Sequence, residues 1–162
     1  MAITKQKKTE ILQDIEGIID GAISIVFVRF TGLAVAETTA MRKGLREKGV
    51  GYRVAKKTLM KRVLSDRQFA GELPELAGEV AIAYGNDALA PAREVYTFEK
   101  QFKDKVAIVG GIFENKYMNA SEMTVIASIP PLQVLRSQFV NLINSPIQRI
   151  VTALDRIAVA RS

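Results

Sequence analysis

The chain contains no cysteine, no histidine and no tryptophan. Without cysteine there are no disulfides, no thiolate metal ligands and no sulfur nucleophile. Without histidine the imidazole-based triads and metal sites are excluded as well. The lack of cysteine fits a reducing compartment, so a cytoplasmic location is expected. Long apolar runs are also missing. The densest stretch, Ile25 to Val28 with Ala22, Ile23 and Phe30 beside it, falls far short of the ~18 residues of a spanning helix and reads as a buried strand. At the N-terminus Lys5, Lys7 and Lys8 are followed by Glu10, Asp14, Glu16 and Asp20, which leaves no apolar core for an export signal.

The groups left for catalysis are Asp, Glu, Lys, Tyr, Ser and Thr, and they form no recognisable acid–base or nucleophilic constellation. Gly49-Val50-Gly51 and Gly110-Gly111 lack the strand, turn and helix spacing of a dinucleotide fingerprint, and no Walker A sequence occurs. They read as turns or as a bulge. No enzyme activity, cofactor, metal or small-molecule substrate is therefore expected. With 162 residues, 48% hydrophobic and 25% charged, the chain has the means for one packed core and an appendage.

What the sequence does have is an uneven charge. Residues 1–64 hold 13 Lys and Arg against 6 Asp and Glu, residues 65–130 hold 6 against 10, and residues 131–162 hold 4 against 1. A basic first third suggests a polyanionic partner, because each cation that neutralises a phosphate releases condensed counterions.

Apolar periodicity lays out the elements. Ile11, Leu12, Ile15, Ile18 and Ile19 recur at helical spacing, predicting a helix over about 4–20. Strands are predicted over 22–30, 50–55, 79–84 and 105–113. Helices are predicted over 35–48, stopped by Gly49, and from Lys56 through Leu64; two more are capped by Asn86-Asp87 and by Asn119. The order predicts an α/β (α+β) fold, a small mixed sheet of about four strands flanked by helices over 1–130. Beyond Pro130-Pro131, over 131–162, a protruding helical tail is expected, with Ser145-Pro146 starting a fresh or kinked helix. Its stripe of Ile147, Ile150, Val151, Leu154, Ile157 and Ala158 leaves three uses open: packing on the core, binding a partner, or lying on a membrane surface.

The segments Arg42 to Gly49 and Tyr52 to Arg62 place two basic helix surfaces around one short strand, with the start of the second helix at Thr58 offering free amides to a phosphate. Tyr52 is the only aromatic residue between Phe30 and Phe69. Recognition by shape and backbone is therefore expected rather than base stacking. From charge alone Lys7, Lys8, Arg42, Arg46, Lys61 and Arg62 are expected contacts.

Phe30-Thr31-Gly32-Leu33, Met41 to Arg46, Tyr52 to Leu59 and Gly110-Gly111 ahead of Ile129-Pro130 together resemble the bacterial ribosomal protein L10 family, over essentially the whole chain. The sequence departs from that family's pattern at Thr31, Ala34 and Lys57, where Arg, Thr and Asn are usual. The resemblance implies a non-catalytic constituent of the large ribosomal subunit, in the cytoplasm, whose 1–130 domain binds 23S ribosomal RNA at the base of the lateral stalk beside protein L11. Carried over by position, Thr31, Gly32, Lys56, Lys57 and Thr58 are the implied RNA contacts. The tail is implied to carry dimers of the acidic stalk protein L7/L12, through which translational GTPases are recruited. The 16 residues after Pro146 span about 24 Å as a helix; the family's use of about ten residues per dimer implies two dimers, with a third excluded by length. The resemblance also implies repression of the family's own messenger RNA. An acidic partner suits a tail with four Arg and one Asp, and favours a protein over a membrane. The alternative is a generic RNA-binding module whose amphipathic tail meets a membrane surface or some other partner.

Overall fold

A computed structural model describes residues 5–67, 69–102 and 105–161, so Thr4, the expected helix start, lies outside the described residues. The chain divides into two units, residues 1–129 and residues 130–162.

The first unit opens with helix α1 (Lys5–Gly21) and strand β1 (Ser24–Phe30), followed by α2 (Val35–Glu47), β2 (Gly51–Val54) and α3 (Lys57–Asp66). Then come β3 (Val80–Gly85), α4 (Ala90–Gln101), β4 (Val106–Phe113), β5 (Lys116–Asn119) and α5 (Ala120–Ala127). The sheet order is β2-β3-β1-β4-β5.

The α/β class is as expected, but the sheet has five strands rather than about four, and its ladders are all antiparallel rather than mixed. The helical crossovers explain the second difference. Both β1-α2-β2 and β3-α4-β4 return a strand parallel to its predecessor, yet each pair leaves one place between its strands, and a strand of the other pair fills it. This is the split βαβ arrangement of ferredoxin-like folds. The fifth strand follows from a tight turn at Glu114 and Asn115, with φ of 49° and 60°. Two consecutive residues at positive φ make the hairpin turn that suits the twist of the flanking strands. Asn tolerates this conformation, but the lack of glycine hides the turn in the sequence.

Strand β1 lies at the centre and feeds both faces. Ile25 and Phe27 join Ile15 and Ile19 of α1 and Met60, Val63 and Leu64 of α3 in one core cluster. Val26 and Val28 join Met41 and Leu45 of α2, Ala92 and Val95 of α4, and Met123 and Ala127 of α5 in the other. A strand covered on both faces shows no polar alternation, which is why this stretch reads as one apolar run.

The expected bulge lies beside Gly110-Gly111: Phe27 pairs with Gly110 and Val28 with Ile108, so the β1–β4 register shifts past Val109. Backbone also approaches both glycines closely. A Cβ on Gly110 would stand 2.7 Å from the Met118 carbonyl oxygen, and one on Gly111 would stand 2.5 Å from that of Ile25. The expected Asn86-Asp87 cap is displaced. Helix α4 starts at Ala90, with Leu89 as its N-cap residue, and Asp87 Oδ1 instead accepts the Leu89 N–H at 2.9 Å in a local turn.

The second unit is one helix, α6 (Leu132–Arg161), which runs through Pro146. Of the two expected forms, a fresh helix starting at Ser145 does not occur. Proline removes its own N–H from the ladder and its ring crowds the carbonyl of Leu142, and the turns on either side carry the helix across.

Candidate nucleic-acid interface and apolar tail helix

Arg42 and Arg46 are four residues apart on α2, hence on one face, while Met41 and Leu45 are buried against the sheet. Helix α3 is fixed in the same way through Met60, Val63 and Leu64. Its N-cap residue, Lys56, has extended backbone and no side-chain cap, and its carbonyl accepts the N–H groups of Leu59 and Met60 at 2.9 and 3.1 Å. The short edge strand β2 runs between these helices in sequence. The result is an open cleft of about 810 Å³ that gathers Arg42, Arg46, Arg53, Lys56, Lys57 and Thr58, with Phe30, Val54, Ala55 and Leu59 also lining it.

The cations differ in their commitments. The Arg42 guanidinium lies over the Tyr52 ring, 5.6 Å from its centroid, and burial pushes the Tyr52 hydroxyl up to about 12 although the arginine opposes the shift. Arg53 donates to Asp14 Oδ2 of α1 at 2.7 Å. Among the described ion pairs none involves Arg46, Lys56 or Lys57, and all three side chains are exposed. Five cations around one opening, three of them uncommitted, form a surface for a polyanion.

Of the expected contacts, Arg42, Arg46, Lys56, Lys57 and Thr58 are brought together here. Lys7 and Lys8 sit exposed on the first turns of α1, Thr31 and Gly32 on the exposed loop between β1 and α2, and Lys61 and Arg62 on the outer side of α3; none lines the cleft. Gly32 has a φ of 63°, a left-handed position that favours glycine. Arg53 and Phe30 are cleft residues that sequence reasoning did not select. Arg53 stands inside the basic segment and could have been found there, whereas Phe30 becomes a neighbour only when β1 and β3 pair, its N–H bonded to the Glu79 carbonyl at 3.1 Å.

The loop after β1 is held by a second device. Glu37 accepts the Ala34 N–H at 3.0 Å and the Lys105 ammonium at 2.8 Å. The bonds from Lys105 and then from Ala34 hold its carboxyl below the usual range. Ala34 lacks the oxygen that would return the cap bond to the helix.

On α6, Leu132, Leu135, Phe139, Leu142 and Ile143 are exposed, as are Ile150, Val151, Leu154 and Ile157. Spaced by three and four residues, they form one stripe that continues across Pro146. Ala158 is exposed on the same helix, and the side chain of Ile147 lies outside the described set. The half before Pro146, not among the expected contacts, belongs to the same face because the helix does not break. Among the described residues no helix is long and apolar enough to cross a membrane.

Residues 3–100 match the family described as Ribosomal protein L10. The whole chain is 30% identical to the large ribosomal subunit protein uL10 of Delftia acidovorans, covering 92% of that protein. It is 31% identical over 161 residues to the protein of the same name from Methylibium petroleiphilum, again covering 92% of it. With that of Novosphingobium aromaticivorans it shares 34% identity over 146 residues, which cover 90% of this chain and 85% of the relative.

Proposed function

The chain belongs to the ribosomal protein L10 family, structural constituents of the large ribosomal subunit in the cytoplasm, and on that premise we propose that its cleft binds 23S ribosomal RNA at the base of the lateral stalk. Helix α6 then anchors dimers of the acidic stalk protein L7/L12, and through them supports the recruitment of translational GTPases. The observation that carries the RNA reading is the convergence of Arg42, Arg46, Arg53, Lys56 and Lys57 on one cleft. Phosphate contacts of this kind position a protein on a folded RNA without reading its sequence. Lys7, Lys8, Thr31, Gly32, Lys61 and Arg62 extend the contact along the same basic first third of the chain, and protein L11 is the neighbour at that site.

The anchoring reading rests on the exposed stripe of α6. A helix with one apolar face and an excess of arginine suits a groove between helices of an acidic partner. The stripe runs from Leu132 to Ala158 on α6, about 40 Å of helix. The expectation of two dimers and no third counts only the 16 residues after Pro146, and the longer stripe removes that limit, so at least two dimers are proposed. The test is a double dissociation in a binding assay with labelled RNA and labelled stalk protein. Ile150→Asp with Leu154→Asp removes stalk-protein binding and leaves RNA affinity unchanged, and alanines at the cleft cations do the reverse. One variant that removes both activities contradicts the division.

A further inference from the structure

Two large apolar side chains at the cleft stand outside the described core clusters. Phe30 is half-buried and Val54 is 42% exposed, and neither belongs to either core cluster. Both line the cleft with Ala55, Leu59 and the five cations, and the Glu79 carboxylate lines it as well. A groove that served only phosphates would gain nothing from an apolar floor, because phosphates are met by amides and cations. Cations and apolar, aromatic side chains in one lining are the combination that receives an unstacked nucleotide, its phosphates on the cations and its base on the apolar part. The open cleft, about 810 Å³, has room for a nucleotide.

We propose that the cleft takes up one unpaired base of the bound RNA and stacks it on Phe30. This rests on the RNA-binding reading and specifies the part of the RNA that the cleft holds. Phe30, rather than Tyr52, is the stacking residue. The Tyr52 ring is already engaged by the Arg42 guanidinium, and burial of its hydroxyl marks it as part of the wall. Arg46, Lys56 and Lys57, which have no ion pair among those described, are placed to hold the phosphates on either side of the extruded base. The sequence hides this arrangement, since Phe30 and Tyr52 are 22 positions apart on strands that are not neighbours in the sheet. On this proposal one stacked base is added to the expected recognition by shape and backbone.

The test uses the full chain and a stalk-base fragment of 23S RNA, with 2-aminopurine placed in turn at each unpaired purine. Phe30→Leu keeps the apolar bulk and removes the π-face. It is expected to weaken binding about 5-fold or more, within the 5- to 150-fold equivalent to ~1–3 kcal/mol for one base stacked on an aromatic ring. The slope of affinity against salt stays as in the wild type, and Phe30→Tyr restores the affinity. At one position the 2-aminopurine fluorescence falls on binding the wild-type chain and does not fall with Phe30→Leu. If no position responds to the wild-type chain, or if Phe30→Leu binds as tightly as the wild type, the base inference is overturned. The RNA reading still stands in that case provided that alanines at Arg46, Lys56 and Lys57 flatten the salt slope. If those alanines leave affinity and slope unchanged, the RNA reading itself fails.

Discussion

Replacing Arg46, Lys56 and Lys57 together by alanine removes the three cleft cations that have no ion pair among those described. Arg42 and Arg53 are left in place because one lies over Tyr52 and the other is bonded to Asp14. Each phosphate contact contributes about 0.7 to 0.9 to the slope of log affinity against log salt, so losing three reduces the slope by about 2 to 3. Between 50 and 200 mM salt, the affinity advantage of the wild type over the variant then shrinks by about 20- to 40-fold. Stability is not expected to move by more than about 0.5 kcal/mol, since all three side chains are exposed and away from the core. The assay is fluorescence anisotropy of a labelled 23S stalk-base fragment over a salt series, with a thermal melt of each variant. Lys116→Ala on β5, at the opposite edge of the sheet, is the control and keeps the wild-type slope. Parallel salt dependences for the triple variant and the wild type would refute the reasoning and move the phosphate contacts to another surface.

Three further outcomes are expected. Gly111→Ala drives a methyl group against the Ile25 carbonyl and the Met123 side chain, both part of the packed sheet and core, and should cost about 1–3 kcal/mol, read as a lowered melting temperature. Glu37→Gln removes a carboxylate whose folded-state pKa is depressed by Lys105 and the Ala34 amide. A depressed carboxylate stabilises the fold above its unfolded value, near 4.5, and loses that contribution as the pH falls through the folded value, so the variant is less stable at pH 7 and its denaturation midpoint falls less on acidification. Ile150→Asp with Leu154→Asp, at side chains 62% and 61% exposed, abolishes stalk-protein capture on a sensor surface while the melting temperature of the 1–129 unit is unchanged.

Much of the fold is legible because the core is written in short-range patterns. Ile15 and Ile19, Met41 and Leu45, and Met60 and Leu64 repeat at intervals of four and point each helix at the sheet. The uninterrupted run of β1 announces a strand covered on both faces. What the sequence hides is set by partners far along the chain. The antiparallel order depends on β3 entering between β1 and β2, and no local residue encodes that. Strand β5 is hidden because Glu114 and Asn115 make a positive-φ turn without glycine. The continuity of α6 is hidden because Pro146 behind Ser145 looks like a start, although a helix can lose one N–H and persist. The site divides in the same way. Lys56, Lys57 and Thr58 are adjacent in sequence, and Arg42 and Arg46 share a helix face, so they can be read directly. Phe30 reaches the cleft only through strand pairing.

The central claim is that one chain holds RNA with its cleft and stalk protein with its tail, each independently of the other. Native mass spectrometry of the chain purified from its own cells, beside the cleft triple variant and Ile150→Asp with Leu154→Asp, tests it most directly. The wild type is expected to carry at least four copies of a small acidic protein together with RNA. The cleft variant should keep the protein and lose the RNA, and the tail variant should do the opposite. If the tail variant keeps its full complement of acidic protein, or if neither variant loses its designated partner, the assignment of the two surfaces is contradicted.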